Sequence, residues 1–166
     1  MVSVREARVE DDFRIGELLV EAFVGQYAKK MPHVVVNEPR KSELRDVAAK
    51  RKLALVLVAE HAQKIVGTVA LFKPGAATSE AWISNHADLR HLAVDPKMLG
   101  HGISKLLLER AEEVARDEWR CDGICLHVRQ GAHGVARLYE SRNYLRRPDG
   151  DFEKPGVFLE GRVLTF

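Results

Sequence analysis

The sequence predicts a mixed α/β fold, a central sheet of about six to seven strands flanked by helices on both faces. Three observations carry that expectation. Two nearly continuous apolar runs, residues 53–60 and 65–72, are separated by a short polar turn at Ala62-Gln63 and read as an antiparallel hairpin. Amphipathic stretches of helical period alternate with β-rich runs along the rest of the chain. The 166 residues contain no internal repeat, low-complexity tract or linker, so one domain over residues 1–166 is expected.

Taken in order, residues 3–9 read as a first strand. Asp11 and Asp12 offer a cap and first-turn negative charge to a helix. Its residues Ile15, Leu18, Leu19, Ala22 and Phe23 fall at i, i+3, i+4, i+7 and i+8, one apolar stripe. The stretch 25–36, with Pro32 inside it, breaks that pattern. A second helix is expected over about residues 39–50, with Pro39 near its first turn. After the hairpin, residues 74–85 are a loop, small and polar apart from Trp82 and Ile83. Residues 88–94 are the next strand, and 102–117 a helix with Ile103, Leu106, Leu107, Ala111 and Val114 on one side. A strand over 123–128, a helix over 132–142 and a strand over 157–164 complete the order.

Composition excludes several classes. The 26 basic residues are interleaved with 24 acidic ones for a net charge of +2, which argues against a dedicated nucleic-acid surface. No stretch approaches the ~18 apolar residues of a membrane span. The first residues lack an apolar signal region, so a cytoplasmic location is expected. Cys121 and Cys125, with His127 nearby, lack a fourth metal ligand and sit in a strand-like segment. They read as reduced core thiols, and no metal is expected.

The most informative stretch runs from Val94 to Ser104, Val-Asp-Pro-Lys-Met-Leu-Gly-His-Gly-Ile-Ser. A strand that breaks at a proline, passes a Gly-x-Gly turn and opens a helix presents main-chain N–H groups at the positive helix end, where phosphate-type anions bind. It lacks the third glycine of a Rossmann fingerprint and the Gly-Lys-Ser/Thr ending of a nucleotide P-loop.

Residues 87–108, Ala-Asp-Leu-Arg-His-Leu-Ala-Val-Asp-Pro-Lys-Met-Leu-Gly-His-Gly-Ile-Ser-Lys-Leu-Leu-Leu, resemble the GNAT superfamily of N-acetyltransferases. The family's pattern of Gln or Arg, two free positions, Gly, one free position and Gly or Ala is met by Lys97, Gly100 and Gly102, Lys keeping the positive charge. A second stretch agrees: Leu126-x-Val128, Leu138-Tyr139-Glu140 and Asn143-Tyr144 match the family's strand, helix and closing aromatic. Ala132 stands where the family usually has Asn, and Asn143 where it usually has Gly, the next-best residue for a left-handed cap. The resemblance implies acetyl-CoA as acyl donor, its pyrophosphate on the amides from about Leu99 to Lys105. Lys97, Met98, Gly100, His101, Gly102 and Ser104 belong to that cradle. Main-chain groups of Leu92, Ala93 and Val94 would pair with the pantetheine arm and polarise the thioester. Ala132 lies where the family contacts that arm. Arg142 is expected either to reach a coenzyme A phosphate or to be a surface charge.

Asp88 stands at the start of the strand where many members carry a glutamate assigned as general base. The role requires burial or a water relay, and pairing with Arg90 is the competing structural reading. Tyr139 matches the tyrosine that returns a proton to the departing thiolate; a core tyrosine is the alternative. His91 and His127 have suitable intrinsic pKa values but read first as satisfied imidazoles in central strands. His101 and His133 sit in loops near the expected cofactor and face phosphate or solvent. No Ser or Cys nucleophile is needed, so Cys125 is not promoted. Phe23, Tyr27, Trp82 and the 74–85 loop are candidate walls for the acceptor, a small-molecule or peptide amine. Dimerisation is common in the family. The competing functions are a catalytically silent acyl-CoA-binding module of the same fold and, more weakly, a nucleotide-binding protein.

Overall fold

The structure, a computed structural model, describes residues 1–33 and 36–166, with Tyr27 through its backbone alone. The chain forms two compact units: Met1–Ala70 with His91–Ala111, and Leu71–Arg90 with Glu112–Phe166. No helix among the described residues is long and apolar enough to cross a membrane.

The strands are β1 (Val2–Glu6), β2 (Leu55–His61), β3 (Lys64–Phe72), β4 (His86–Val94), β5 (Gly123–Arg129), β6 (Leu145–Arg146), β7 (Phe152–Lys154) and β8 (Val157–Thr165). They form a mixed open sheet in the order β1-β2-β3-β4-β5-β8-β6, with β7 paired to β8 off that path. This is one more strand than the upper expectation. β6 and β7, of two and three residues, are too short to leave a period-two pattern and exist by pairing with β8. Ala62 and Gln63, both at positive φ (49° and 63°), join β2 to β3 as a two-residue hairpin requires.

Helix α1 (Asp12–Val20) ends before the expected stripe does, and Glu21–Gln26 follow as a π-helical turn leading to α2 (Tyr27–Lys30). The wider turn rotates the stripe away: Ile15, Leu18 and Leu19 are buried, Ala22 and Phe23 only half-buried. The single helix expected over 39–50 is two, α3 (Glu38–Arg45) and α4 (Val47–Leu53). Asp46 breaks them by leaving helical geometry (ψ 66°) and capping α4, its carboxylate accepting from Ala49 N at 3.3 Å. Asn37 caps α3 through Arg40 N at 2.9 Å.

In the first unit α1 packs on α3 and α4, and the core gathers Ile15, Leu18, Leu44, Val47, Val58 and Val69. Helix α5 (Ile103–Glu113) buries Ile103, Leu107, Leu108 and Ala111. Leu106, expected on that face, is 37% exposed, because the face centres on Leu107 and Ala111 and takes in Leu108 instead. In the second unit, β5 pairs with β8 along its whole length, Gly123 opposite Thr165 to Arg129 opposite Leu159. β4 pairs in parallel with β5 only from His86–Gly123 to Asp88–Cys125. Helix α6 (His133–Ser141) precedes β6, and Ile124, Leu126, Tyr144 and Val163 form the core of this unit.

Candidate functional site

In the first unit β4 runs through Leu92, Ala93 and Val94 into the glycine turn, after a kink at His91, whose φ is 58°. Asp95 closes the strand. Its amide donates to Val66 O at 2.8 Å, its Oδ1 accepts from Lys97 N at 3.0 Å, and its Oδ2 from Arg14 Nη2 at 2.8 Å. Arg14, on α1, also donates from Nε to Ile65 O at 3.2 Å, so one aspartate and one arginine tie the turn to α1 and β3.

Pro96–Met98 form a 3-10 turn, and Gly100 and Gly102 then take φ of 83° and 74°. A Cβ on either would meet no atom within 4 Å, so backbone conformation and not space requires glycine there. Among the described residues no carbonyl accepts from the amides of residues 100–105; the first paired one is Leu106, donating to Gly102 O at 3.1 Å. The side chains of Lys97, Leu99, His101 and Lys105 are exposed, while Met98 and Ser104 are half-buried. What the turn gathers is main-chain N–H.

Helix α5 is seated by Gly67 of β3. A Cβ at Gly67 would stand 2.8 Å from Ile103 Cγ2 and 3.0 Å from Leu107 Cδ1, so only glycine lets the helix approach the strand this closely. Sequence reasoning passed over Gly67, although a glycine inside an apolar strand was the available signal. Phe23 lies in the same unit, edge-on to His91 with ring centroids 5.8 Å apart. The expected acceptor contact of Tyr27 lies outside the described side chains.

In the second unit Asp88 is 1% exposed. Its Oδ2 accepts from Glu80 N at 2.7 Å and from Arg90 Nε and Nη2 at 2.8 and 2.5 Å, while Oδ1 has no hydrogen-bond partner among the described residues. Burial pushes the Asp88 carboxyl above the usual carboxylate range; Arg90 and the Glu80 amide pull it down without cancelling the effect. Arg90 is a hub. It stacks 4.3 Å over the Phe72 ring, donates to Thr78 O and lies 3.2 Å from Glu80 Oε1. The Asp88–Arg90 pairing weighed from the sequence is present, and Glu80, whose place in a loop hid it, joins the pair.

Trp82 donates from Nε1 to Asp149 Oδ2 at 3.3 Å and lies 5.1 Å from the His127 ring, which meets Phe152 edge-on at 4.6 Å. His127 donates from Nε2 to Gly150 O at 2.8 Å. Pro74, Gly75, Trp82 and His86 help line a surface depression. Cys125, opposite Asp88 in register, is buried, and burial pushes its thiol up, away from the reactive thiolate. Among the described residues no group of three or more His, Cys, Asp or Glu is placed to hold a metal ion.

Also in the second unit, α6 starts after Ala132 without a side-chain cap and carries Tyr139, which is buried. Asn143, at φ 67°, closes the helix, and the amides of Arg142 and Tyr144 both donate to Tyr139 O at 3.0 Å. The Tyr139 ring meets Tyr144 edge-on at 5.4 Å. Arg142, expected either at a coenzyme A phosphate or on the surface, is half-buried and grips Glu112 at 3.0 and 2.6 Å, and Tyr144 donates its hydroxyl to the same carboxylate at 3.1 Å. A carboxylate as buried as Glu112 needs that compensation. Burial holds the Tyr144 hydroxyl well above its ordinary pKa, so it stays a donor.

No curated protein sequence matches the chain. In fold it is similar to PaiA N-acetyltransferase from Thermoplasma acidophilum, solved in complex with coenzyme A. The TM-score is 0.74 at 19% identity, covering 100% of this chain and 99% of that one. It is also similar to yncA from Salmonella typhimurium, solved with its cofactor acetyl-CoA, with a TM-score of 0.69 at 19% identity over 99% and 93% of the two chains. A GNAT-family acetyltransferase from Staphylococcus aureus Mu50 gives 0.74 at 16% identity over 99% of both. Residues 14–144, which contain the glycine turn, Asp88 and Tyr139, match the acetyltransferase (GNAT) family, and the chain belongs to that family.

Proposed function

We propose that the protein transfers an acetyl group from acetyl-CoA to a primary amine by direct attack in a ternary complex. The observation that carries this reading is the run of amides over residues 100–105 that meet no main-chain carbonyl among the described residues, at the positive end of an eleven-residue helix, in a member of an acetyltransferase family. Those amides hold the pyrophosphate of coenzyme A, and main-chain groups of Leu92, Ala93 and Val94 receive the pantetheine arm and polarise the thioester carbonyl.

The amine must lose a proton before it attacks. At an ordinary pKa near ~10.4 that costs about 4.6 kcal/mol at pH 7. Asp88 takes the proton through a water at Oδ1, its basicity lifted by burial. The nitrogen forms its bond to the acetyl carbon, the carbon–sulfur bond breaks, Tyr139 gives its phenolic proton to the leaving thiolate, and the second proton shed by the nitrogen passes through water to restore the tyrosine. Free-thiol release from acetyl-CoA, read against a panel of primary amines, tests the reaction. Tyr139→Phe is expected to lower kcat about a hundredfold or more, and Asp88→Asn to remove the acidic limb of the pH–rate profile. Full kcat in the first or an unchanged profile in the second removes that residue's role.

The grip of Arg90 on Asp88 supports a second reading, a catalytically silent acyl-CoA-binding module in which Asp88 is purely structural. Thermal stabilisation by acetyl-CoA with no thiol release from any amine identifies it.

A further inference from the structure

We infer that Glu80 receives the positive charge of the acceptor, that the acceptors are primary alkylammonium compounds, and that Lys154 of the chain itself holds their place. This rests on the acetyltransferase reading above and names its substrate class.

The Lys154 ammonium is a primary alkylammonium. It lies 3.7 Å from Glu80 Oε2 and 5.2 Å above the centre of the Phe152 ring. A carboxylate and an aromatic face are the two groups that recognise such a cation. Charge points the same way. Asp88 and Glu80 set two negative charges against the one positive charge of Arg90, and Lys154 neutralises the remainder. The two cations are not held alike. Arg90 is fixed by Asp88, Thr78 O and the Phe72 ring. The Lys154 side chain is 57% exposed at the end of a three-residue strand, and such an ion pair is exchanged at little cost.

The surroundings suit a carbon chain ending in that charge. Phe152, His127 and Trp82 follow one another at ring spacings of 4.6 and 5.1 Å and form a continuous aromatic wall. Glu80 is joined through its own amide to Asp88 Oδ2 at 2.7 Å, so the residue that holds the cation is anchored to the proposed base.

The test compares n-butylamine, a cation at pH 7.5, with aniline, neutral at that pH, in wild type, Glu80→Gln and Lys154→Met. Steady-state thiol release gives the KM for each amine and for acetyl-CoA, and saturation-transfer NMR reads butylammonium binding in the presence of coenzyme A. The expected result is a KM for butylamine raised about tenfold by Glu80→Gln, the scale of one charged hydrogen bond, and lowered by Lys154→Met. The aniline and acetyl-CoA KM values stay unchanged, and butylammonium binding is lost with Glu80. Equal effects on both amines, or no effect of Glu80→Gln on butylammonium, overturn the inference. Binding that depends on Glu80, without thiol release from any amine, supports the ammonium site and overturns the transferase reading alone.

Discussion

The turn after β4 and the stretch from residue 74 to Arg90 both offer polar groups to a ligand, the first with main chain and the second with side chains. In the turn, two glycines at positive φ and a helix start expose amides while Lys97 and His101 point to solvent. In the 74–90 stretch Asp88, Arg90 and Glu80 meet through their side chains, and the Glu80 amide and Thr78 O are the main-chain groups that join them. A main-chain site is insensitive to which side chains surround it but demands a particular backbone. A side-chain site tolerates backbone variation but depends on each charge. Substitutions in the two regions should therefore fail in opposite ways.

The largest effect is expected from Arg90→Met. Asp88 keeps its burial and loses its guanidinium, and breaking a pair with one fully buried partner costs about 3 kcal/mol. Urea unfolding at neutral pH reads this. The sign of the pH dependence follows from Asp88, whose carboxyl in the folded protein already lies above its ordinary 3.8. Removing Arg90 raises it further, so the folded state binds more protons than the unfolded one over the interval above 3.8. The variant regains stability as pH falls through that interval and loses it as pH rises. Its affinity for coenzyme A stays that of the wild type. Stability flat with pH, or a coenzyme A affinity that falls as the amine KM rises, contradicts the division between the two regions.

Gly67→Ala should strike the other region by a smaller amount. The added Cβ meets Ile103 and Leu107, both buried and unable to turn into open space. Overpacking of this kind costs about 1–3 kcal/mol. Because the displaced element is α5, whose first amides make the proposed anion site, the coenzyme A dissociation constant is expected to rise severalfold while the KM for amines holds. Calorimetric titration with coenzyme A, beside a thermal melt, separates the two effects. A destabilised variant with unchanged coenzyme A affinity shows that the helix start is not what binds.

The same contrast decides what could be read from the amino-acid order. The turn was legible because its signals are local: Pro96, Gly100, Gly102 and the periodicity from Ile103 onward lie within a dozen residues. Asn143 as a left-handed cap was legible for the same reason. The Glu80–Lys154 pair and the Glu112–Arg142–Tyr144 network were not, because residues 30 to 74 positions apart meet only once the sheet is ordered. Arg142 shows the consequence: its place near Tyr139 in the sequence offered a phosphate contact or a surface charge, and gave no sign of the ion pair with Glu112. The break at Asp46 and the shift from Leu106 to Leu108 failed on a finer scale. A helical stripe fixes its centre better than its edges or its continuity.

The smallest expected effect is also the sharpest discriminator. Lys97 and His101 are the charged and titratable side chains of the turn, and both are exposed. If coenzyme A is held by amides, Lys97→Ala and His101→Ala each change stability by less than about 0.5 kcal/mol, as exposed substitutions do. The coenzyme A dissociation constant changes no more than about threefold, and raising the salt concentration erases the Lys97 effect, because an exposed charge acts through screened space. Gly102 offers the internal contrast. Its φ of 74° is the conformation that aims the amides, so a side chain there disturbs binding without removing any charge. A tenfold loss from Lys97→Ala that survives high salt would mean that the turn binds by side-chain charge after all. Both regions would then obey the same rule, and the contrast between the proposed main-chain donor site and the proposed side-chain acceptor site would be gone.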